Sequence, residues 1–364
     1  MPLVFNHGEA QMKQFRRFAT GWLFGFLILV PAGVLSLAGE ARAADEFIEG
    51  NYWALIIGID KYSALPEDKH LKSARKDAEA VAAVLRDRYG FAKERMIELY
   101  DEGASRKAVF KAFSNLKRQL TSKDSLFVYF AGHGAYEGKI EKGNEIGFWL
   151  LADSEEPSID PSSSIQNNQI RDFFSGYPAR HIFLASDAFF SAKLMGKTSA
   201  VISSKGAAKR LYQDKSRWVL ISGRNFPEPD LADKNKKGHS LFAWHLVKVL
   251  EANTTPYVIL DDLVQPLAVR VSNEKQGKLP KSAPIIAAGD EGGQFVFRLL
   301  PEFQKEDEAE KARLEAEKAR AAEKGKEKAR LETEKAKAAE AAQKELEELE
   351  RELKKAEEAL KKMK

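Results

Sequence analysis

The chain has 364 residues, and its 58 Lys and Arg against 54 Asp and Glu leave a formal net charge of +4. It contains no cysteine, which excludes disulfides, thiolate metal sites and a cysteine nucleophile. A net charge this small does not favour nucleic-acid binding or strong attraction to a membrane. Hydrophobic residues make up 44% of the chain, which is typical of a protein that folds.

An apolar segment without charged residues runs from residue 18 to residue 39, directly after Arg16 and Arg17. Ala41-Arg42-Ala43 follows with the small-residue pattern of a signal-peptide cleavage site, which places the cut before Ala44. We therefore expect residues 1–43 to be a signal peptide and the mature protein to be exported, as a periplasmic or secreted protein. About 20 apolar residues can also span a bilayer, so the alternative is an uncleaved N-terminal anchor in the membrane.

Residues 45–300 are enough for one sizeable α/β domain. Short β-branched or aromatic runs alternate with segments of helical periodicity, and the runs lack the alternation of a half-exposed sheet. This pattern predicts three layers, with a mainly parallel central sheet between helices. The predicted strands are 52–59, 96–100, 125–130, 146–151, 181–185, 218–222 and 294–299. The predicted helices are 71–89, 105–120, 240–252 and 259–272.

Residues 301–364 consist almost entirely of Glu, Lys, Ala, Arg and Leu and predict a long charged helix after the domain. Near its end, apolar residues alternate three and four positions apart, the a/d pattern of a coiled coil over less than three heptads. These residues are Leu346, Leu349, Leu353, Ala356, Leu360 and Met363. We expect either a solvated spacer helix or a short coiled coil through which the chain self-associates.

Two of the predicted strands end in residues that can carry chemistry. The strand at 125–130 runs into Gly132-His133-Gly134, and the strand at 181–185 runs into Ser186-Asp187-Ala188-Phe189. Ligands of parallel sheets bind beyond the carboxyl ends of the strands. A histidine between glycines can face a cleft, where the glycine amides are open to an oxyanion. The candidate site is therefore expected at this edge of the sheet.

The order of these segments resembles the caspase-like cysteine peptidases, most closely the bacterial orthocaspases and metacaspases. The family's opening strand, the Asn-Asp-Ala of its first helix and its Tyr-Phe-Ser-Gly-His-Gly segment have similar counterparts here, and so do its Gly-His-Ser-x-Phe segment and its closing strand. These counterparts are residues 52–59, Lys76-Asp77-Ala78, residues 129–134, residues 238–242 and residues 292–297. The resemblance implies a caspase-like fold over residues 45–300, with His133 in the place of the catalytic histidine.

The resemblance departs from the family at the nucleophile. The family motif is Asp-Ala-Cys-x-Ser-Gly, whereas Asp187-Ala188-Phe189-Phe190-Ser191-Ala192 stands here, with Phe189 at the cysteine position. A phenyl ring cannot attack a scissile carbonyl. The resemblance therefore implies a pseudoenzyme, a non-catalytic protein of the cell envelope that acts in protein binding or scaffolding. The alternative is an endopeptidase that cleaves after Arg or Lys with a displaced nucleophile, Ser186 or Ser191, and His133 as its base.

The resemblance also places the two carboxylates of a pocket for Arg or Lys at Asp77 and Asp187, with Gly134 as a further substrate-binding residue. Two converging carboxylates would attract a basic side chain, so the expected partner is a protein or peptide with such side chains. Simpler interpretations are a solvated helix acid for Asp77, a turn residue capping amides for Asp187, and a histidine satisfied by nearby backbone for His133.

Other chemistry is not indicated by the residue patterns. The histidines show no metal-ligand spacing, and no glycine-rich phosphate loop is present, so we expect no metal and no cofactor. The Lys- and Arg-containing stretch at 205–215 follows the nucleophile position, and we expect it to be an exposed, mobile loop.

Overall fold

The computed structural model describes residues 47–139, 145–155, 162–188, 190–197, 207–223, 237–274, 279–305 and 308–362. The expected signal peptide at 1–43 and Phe189 lie outside these residues. Within the described part of the chain, no helix is both long and apolar enough to cross a membrane.

The strands of the described residues are β1 (Tyr52–Gly58), β2 (Met96–Tyr100), β3 (Ser125–Ala131), β4 (Gly134–Glu137), β5 (Ile146–Leu150), β6 (Ser164–Gln166), β7 (His181–Asp187), β8 (Ser216–Ile221), β9 (Tyr257–Ile259), β10 (Lys281–Pro284) and β11 (Val296–Arg298). The α-helices are α1 (Ala74–Tyr89), α2 (Arg106–Gln119), α3 (Asn167–Ser175), α4 (Ala207–Gln213), α5 (Leu241–Ala252), α6 (Leu260–Ser272) and α7 (Glu308–Lys362).

The central sheet has six strands in the order β10-β8-β7-β3-β1-β2. Neighbouring strands are parallel except for the edge strand β10, which is antiparallel to β8. The prediction of a mainly parallel central sheet is therefore confirmed. The residue pattern did not predict β10 because its sequence, Lys-Ser-Ala-Pro, is unusual for a strand; proline is tolerated there because the strand lies at an edge.

Two predicted strands exist but lie outside the central sheet. β5 is the middle strand of a three-stranded antiparallel sheet with β4 and β6, and β11 pairs antiparallel with β9. The residue patterns predicted both strands without assigning either of them to a sheet. Only two residues join β3 to β4. A strand that returned parallel to β3 would need a connection of a dozen or more residues. β4 therefore cannot join the central sheet beside β3 as a parallel strand, and it pairs with β5 in a separate sheet.

Side chains on the two faces of the central sheet build two separate cores, because successive strand residues point to opposite sides. On one face, Leu55 and Ile57 of β1 pack with residues of α2 and α3. On the other face, Ala54 and Ile56 pack with α1, α5 and α6. The prediction of three layers is confirmed, and each face of the sheet is closed by buried apolar side chains.

The four predicted helices correspond to α1, α2, α5 and α6, with ends that agree to within three residues. The stretch at 205–215, expected to be an exposed mobile loop, contains α4, whose Ala207, Ala208, Leu211 and Tyr212 are buried. That expectation was wrong because the apolar residues between the lysines fall on one helical face. The long C-terminal helix is confirmed, since α7 has 55 residues.

Candidate functional site

The carboxyl ends of β3 and β7 lie side by side in the central sheet. Ala131, the last residue of β3, is the register partner of Asp187, the last residue of β7. The segment that follows β3 and contains His133 therefore leaves the sheet beside the end of β7. Asp187 points to the face covered by α1 and α5, since the preceding odd-numbered residues Phe183 and Ala185 belong to that core.

The connection from β1 to α1 is held by two carboxylates, those of the buried Asp101 and the half-buried Asp60. Asp101 accepts hydrogen bonds from the backbone N–H groups of Asp60 and Lys61, at 2.9 and 3.1 Å, and pairs with Arg75 at 3.0 Å. Asp60 in turn accepts from the N–H of Ala74, where α1 begins. Asp101 adopts the left-handed region (φ 44°), which is costly for a non-glycine residue and is maintained by these bonds.

Asp77 lies on the first turn of α1, close to the end of β1. A Cβ atom on Gly58, the last residue of β1, would lie 2.6 Å from the Cβ of Ala78, so glycine permits this close approach of helix and strand. The Asp77 side chain is only 1% exposed. Its Oδ1 accepts a 2.6 Å hydrogen bond from His239 Nδ1, and its carboxylate also accepts from the N–H of Ser240.

Asp187 meets the same segment from the sheet. Its Oδ2 accepts a 2.6 Å hydrogen bond from the Ser240 hydroxyl, and the side chain is buried, with the residue 5% exposed. The Ser240 hydroxyl also accepts from the N–H of Ala243 and so caps α5. Ser240 therefore contacts both carboxylates, one through its backbone amide and one through its hydroxyl.

The pKa of the Asp77 carboxyl is raised to about 6, chiefly by burial and also by the neighbouring negative charge of Asp187, against the opposing effect of the hydrogen bond from His239. The two predicted pocket acids are thus close enough to influence each other. The interpretation of Asp77 as a solvated helix acid is wrong, because its carboxylate is buried and hydrogen-bonded.

His133 is held from the opposite face of the sheet. Its backbone N–H donates to the Tyr62 hydroxyl at 2.7 Å, and the two rings lie 4.9 Å apart. Tyr62 belongs to the core on the α2 and α3 side, and burial raises the pKa of its phenol, which stays neutral. His133 Nε2 donates to the carbonyl oxygen of Lys69 at 2.6 Å, so this nitrogen carries the proton.

The two candidate replacement nucleophiles are buried. The Ser186 hydroxyl points to the side opposite Asp187 and donates to the carbonyl of Ala188 at 3.5 Å. The Ser191 hydroxyl donates to Glu145 Oε1 at 2.9 Å and is 2% exposed. A hydroxyl nucleophile must reach both a substrate and a base. The hydroxyls of Ser186 and Ser191 instead form hydrogen bonds within the protein.

The predicted site residues thus divide into two groups. Asp77 and Asp187 come together on Ser240, whereas His133 is positioned by Tyr62 and the carbonyl of Lys69. Gly134 begins β4 and pairs with Trp149 of β5. Phe189 lies outside the described residues.

The residue patterns did not identify His239 and Ser240 as residues of the site. The signal was present, since both belong to the Gly-His-Ser segment that supports the family resemblance. Their partnership with Asp77 depends on the packing of α5 against α1, which residue patterns do not report. In the part of the chain that the structure describes, no group of three or more His, Asp or Glu side chains could hold a metal ion.

Comparison with known proteins identifies the family of the domain. The profile of the caspase domain of peptidase family C14 matches residues 51–289, which is more than half of the chain. A search of curated proteins finds no match. Among solved structures, a Geobacter sulfurreducens protein determined as a structural-genomics target covers 65% of this chain and 93% of its own, at 14% identity and a TM-score of 0.44. The family follows from the profile match, which covers most of the described domain. The chain belongs to the caspase family.

Proposed function

We propose that the chain is a non-catalytic member of the caspase family, a pseudo-orthocaspase of the cell envelope that binds protein or peptide partners. The observation that carries the proposal is Phe189 at the family's nucleophile position in a chain that contains no cysteine. The family reaction begins with attack by a thiolate on the scissile carbonyl. With that group missing, the remaining polar groups of the site can bind but lack the first step of catalysis.

The cluster of Asp77 and Asp187 is the proposed receptor for an Arg or Lys side chain. Two carboxylates that share one buried neighbour create a strongly negative site, and burial increases their attraction for a cation. Both are almost completely covered, so a ligand reaches them only when a covering group moves. His239, whose side chain is 13% exposed and bonds to Asp77, is the group we expect to be displaced.

The positions of the two serines do not favour the second candidate, an endopeptidase with a serine nucleophile. Ser186 is fully buried, and the Ser191 hydroxyl is committed to Glu145. Either would need a local rearrangement before it could meet a substrate carbonyl.

The first experiment is hydrolysis of fluorogenic peptides that end in Arg, Lys or Asp, with the His133→Ala variant as the control. We expect turnover by the wild type no greater than that of the variant, with and without calcium. Turnover that disappears with His133 would contradict the non-catalytic proposal and favour the displaced nucleophile. Ser186→Ala and Ser191→Ala would then identify the serine.

Peptide binding tests the positive part of the proposal. Fluorescence anisotropy with labelled, uncleaved peptides that contain Arg or Lys should give saturable binding, which Asp77→Asn and Asp187→Asn each abolish. Asp172→Asn is the matched control, since this acid of α3 has a side chain 62% exposed and lies outside the cluster. Equal affinity in all four proteins would exclude the cluster as the receptor.

Export to the cell envelope is supported by the apolar segment at 18–39 and the small-residue site before Ala44. Cell fractionation followed by N-terminal sequencing tests it. A protein that begins at Ala44 in the periplasm or medium supports cleavage, and a membrane-bound protein that retains this segment supports the anchor. Recovery in the cytoplasm with the segment intact would contradict both.

A further inference from the structure

The last part of α7 exposes a row of leucines to solvent. Leu346, Leu349 and Leu353 are 58, 59 and 64% exposed and lie three and four positions apart, so they share one face of the helix. Ala356 and Leu360 continue the row in the sequence. Large apolar side chains in a regular row indicate a surface that another element covers.

The charges beside this row are of one sign. With Leu346 and Leu353 at heptad position a, the flanking e and g positions are Glu345, Glu350, Glu352 and Glu357. The lysines of the same stretch occupy the outward b and c positions, at 354, 355, 361 and 362. By heptad position, acids therefore stand on both sides of the apolar row, and these lysines stand at positions remote from it.

These charges distinguish two possible occupants of the apolar row, a second copy of this chain and a helix of a different protein. In a parallel pair of identical helices, position 345 faces 350 of the other helix and 352 faces 357, so each contact joins two glutamates. An antiparallel pair sets e against e and g against g, which again joins glutamates. Like charges at these positions are destabilising. A homodimer through this face would thus be opposed at neutral pH by every charged contact at 345–357.

We propose that this face of α7, defined by Leu346, Leu349 and Leu353 and their flanking glutamates, docks an amphipathic helix of another protein that carries Lys or Arg on both sides of its own apolar row. Such a helix covers the leucines and converts each like-charge contact into an opposite-charge pair. The inference is independent of the pocket at Asp77 and Asp187, since it concerns a different element and a different ligand.

The experiment uses the full chain and two synthetic three-heptad helical peptides with leucine at every a and d position. One peptide carries lysine at every e and g position and the other carries glutamate. At neutral pH the lysine peptide should bind at least about tenfold more tightly than the glutamate peptide, and its affinity should fall with added salt. Equal affinities would overturn the proposal.

Charge exchange on the chain itself provides the sharper test. A variant with Glu345→Lys, Glu350→Lys, Glu352→Lys and Glu357→Lys should reverse the preference and bind the glutamate peptide. The matched control carries the same four-charge change at outward positions, through Glu340→Lys, Glu347→Lys, Glu348→Lys and Glu358→Lys, and should keep the preference for lysine. A control that reverses as fully as the test variant would show that only net charge matters.

Sedimentation of the wild-type chain at neutral pH examines self-association directly. The inference predicts no dimer through this face. A dimer that the Leu349→Lys variant abolishes would make a second copy the occupant and overturn the proposal. Circular dichroism of each variant checks that α7 stays helical.

Discussion

The Ser240 hydroxyl donates a 2.6 Å hydrogen bond to Asp187 Oδ2, and so ties the end of β7 to the start of α5. The same oxygen accepts from the N–H of Ala243 and caps the helix. One buried hydroxyl thereby supports a helix and positions a carboxylate of the candidate pocket. Because of this double role, we expect the loss of the Ser240 hydroxyl to cost more stability than the loss of an ordinary helix cap.

Replacing Ser240 by alanine should lower the free energy of unfolding by about 2 to 4 kcal/mol. About 1 kcal/mol comes from the lost cap, and about 1 to 3 kcal/mol comes from a buried carboxylate that loses this donor. Ser105→Ala is the matched control, because the Ser105 hydroxyl caps α2 by accepting from the N–H of Ala108, and its loss should cost only the cap. Urea denaturation measures the free energy of unfolding of both variants. Equal losses would mean that the hydrogen bond to Asp187 does not contribute to stability.

Removing the His239 side chain should strengthen the binding of Arg or Lys peptides. His239 Nδ1 occupies Asp77 Oδ1, so a ligand cation has to displace it. His239→Ala removes this competitor, and we expect the affinity to rise by up to about tenfold, the value of one charge-assisted hydrogen bond. Anisotropy titration measures the change. A loss of affinity would show instead that His239 contacts the ligand.

Binding of a basic peptide should increase as the pH rises through about 6. Burial raises the pKa of Asp77 to about 6, so this carboxyl is mostly protonated at pH 5 and mostly ionised at pH 7. Only the ionised form attracts the cation. Titrations at several pH values should show a plateau above about pH 7. An affinity that is the same at pH 5 and at pH 7 would contradict this prediction.

The domain should lose stability on acidification because of His181. Its Nε2 donates to the carbonyl of Tyr212 and its Nδ1 accepts from Ser216, and burial lowers its pKa to about 3. In the unfolded chain a histidine binds a proton near pH 6.5. The unfolded state therefore holds more protons between about pH 6.5 and 3, and the free energy of unfolding falls by up to about 1.4 kcal/mol for each pH unit.

The His181→Gln variant isolates this contribution. Glutamine does not titrate, so its free energy of unfolding should depend less steeply on pH, and the difference from wild type should shrink as the pH is lowered. Urea denaturation at a series of pH values measures the two slopes. Parallel slopes would show that His181 is not the group responsible.

Adding a methyl group at Gly132 should disturb the placement of His133. A Cβ atom there would lie 2.8 Å from the Tyr62 hydroxyl and 3.1 Å from the Phe130 ring. We expect Gly132→Ala to cost about 1 to 3 kcal/mol of stability. Because Tyr62→Phe removes the nearest atom, the double variant should cost less than the two single changes together. If the losses of stability of the two single variants add up to that of the double variant, the proposed steric contact is contradicted.

The residue patterns were sufficient for the local elements of the parallel sheet. Unbroken apolar runs at β1, β3 and β7 and helical periodicity at α1, α2, α5 and α6 predict these elements within a few residues, because strand and helix periods are local properties. β10 and α3 were not predicted, because Lys-Ser-Ala-Pro and Asn-Asn-Gln have weak intrinsic preferences for a strand and a helix. Packing against the rest of the domain outweighs these preferences.

The sequence by itself determined the caspase-like order of segments, the absence of cysteine, Phe189 at the nucleophile position and the length of α7. Tertiary structure alone decided that β5 leaves the central sheet and that His239 and Ser240 join Asp77 and Asp187. The reason is physical. Periodicity reports which face of an element is buried, but a contact between residues about 160 positions apart depends on how α1, α5 and the sheet pack, which no local pattern contains.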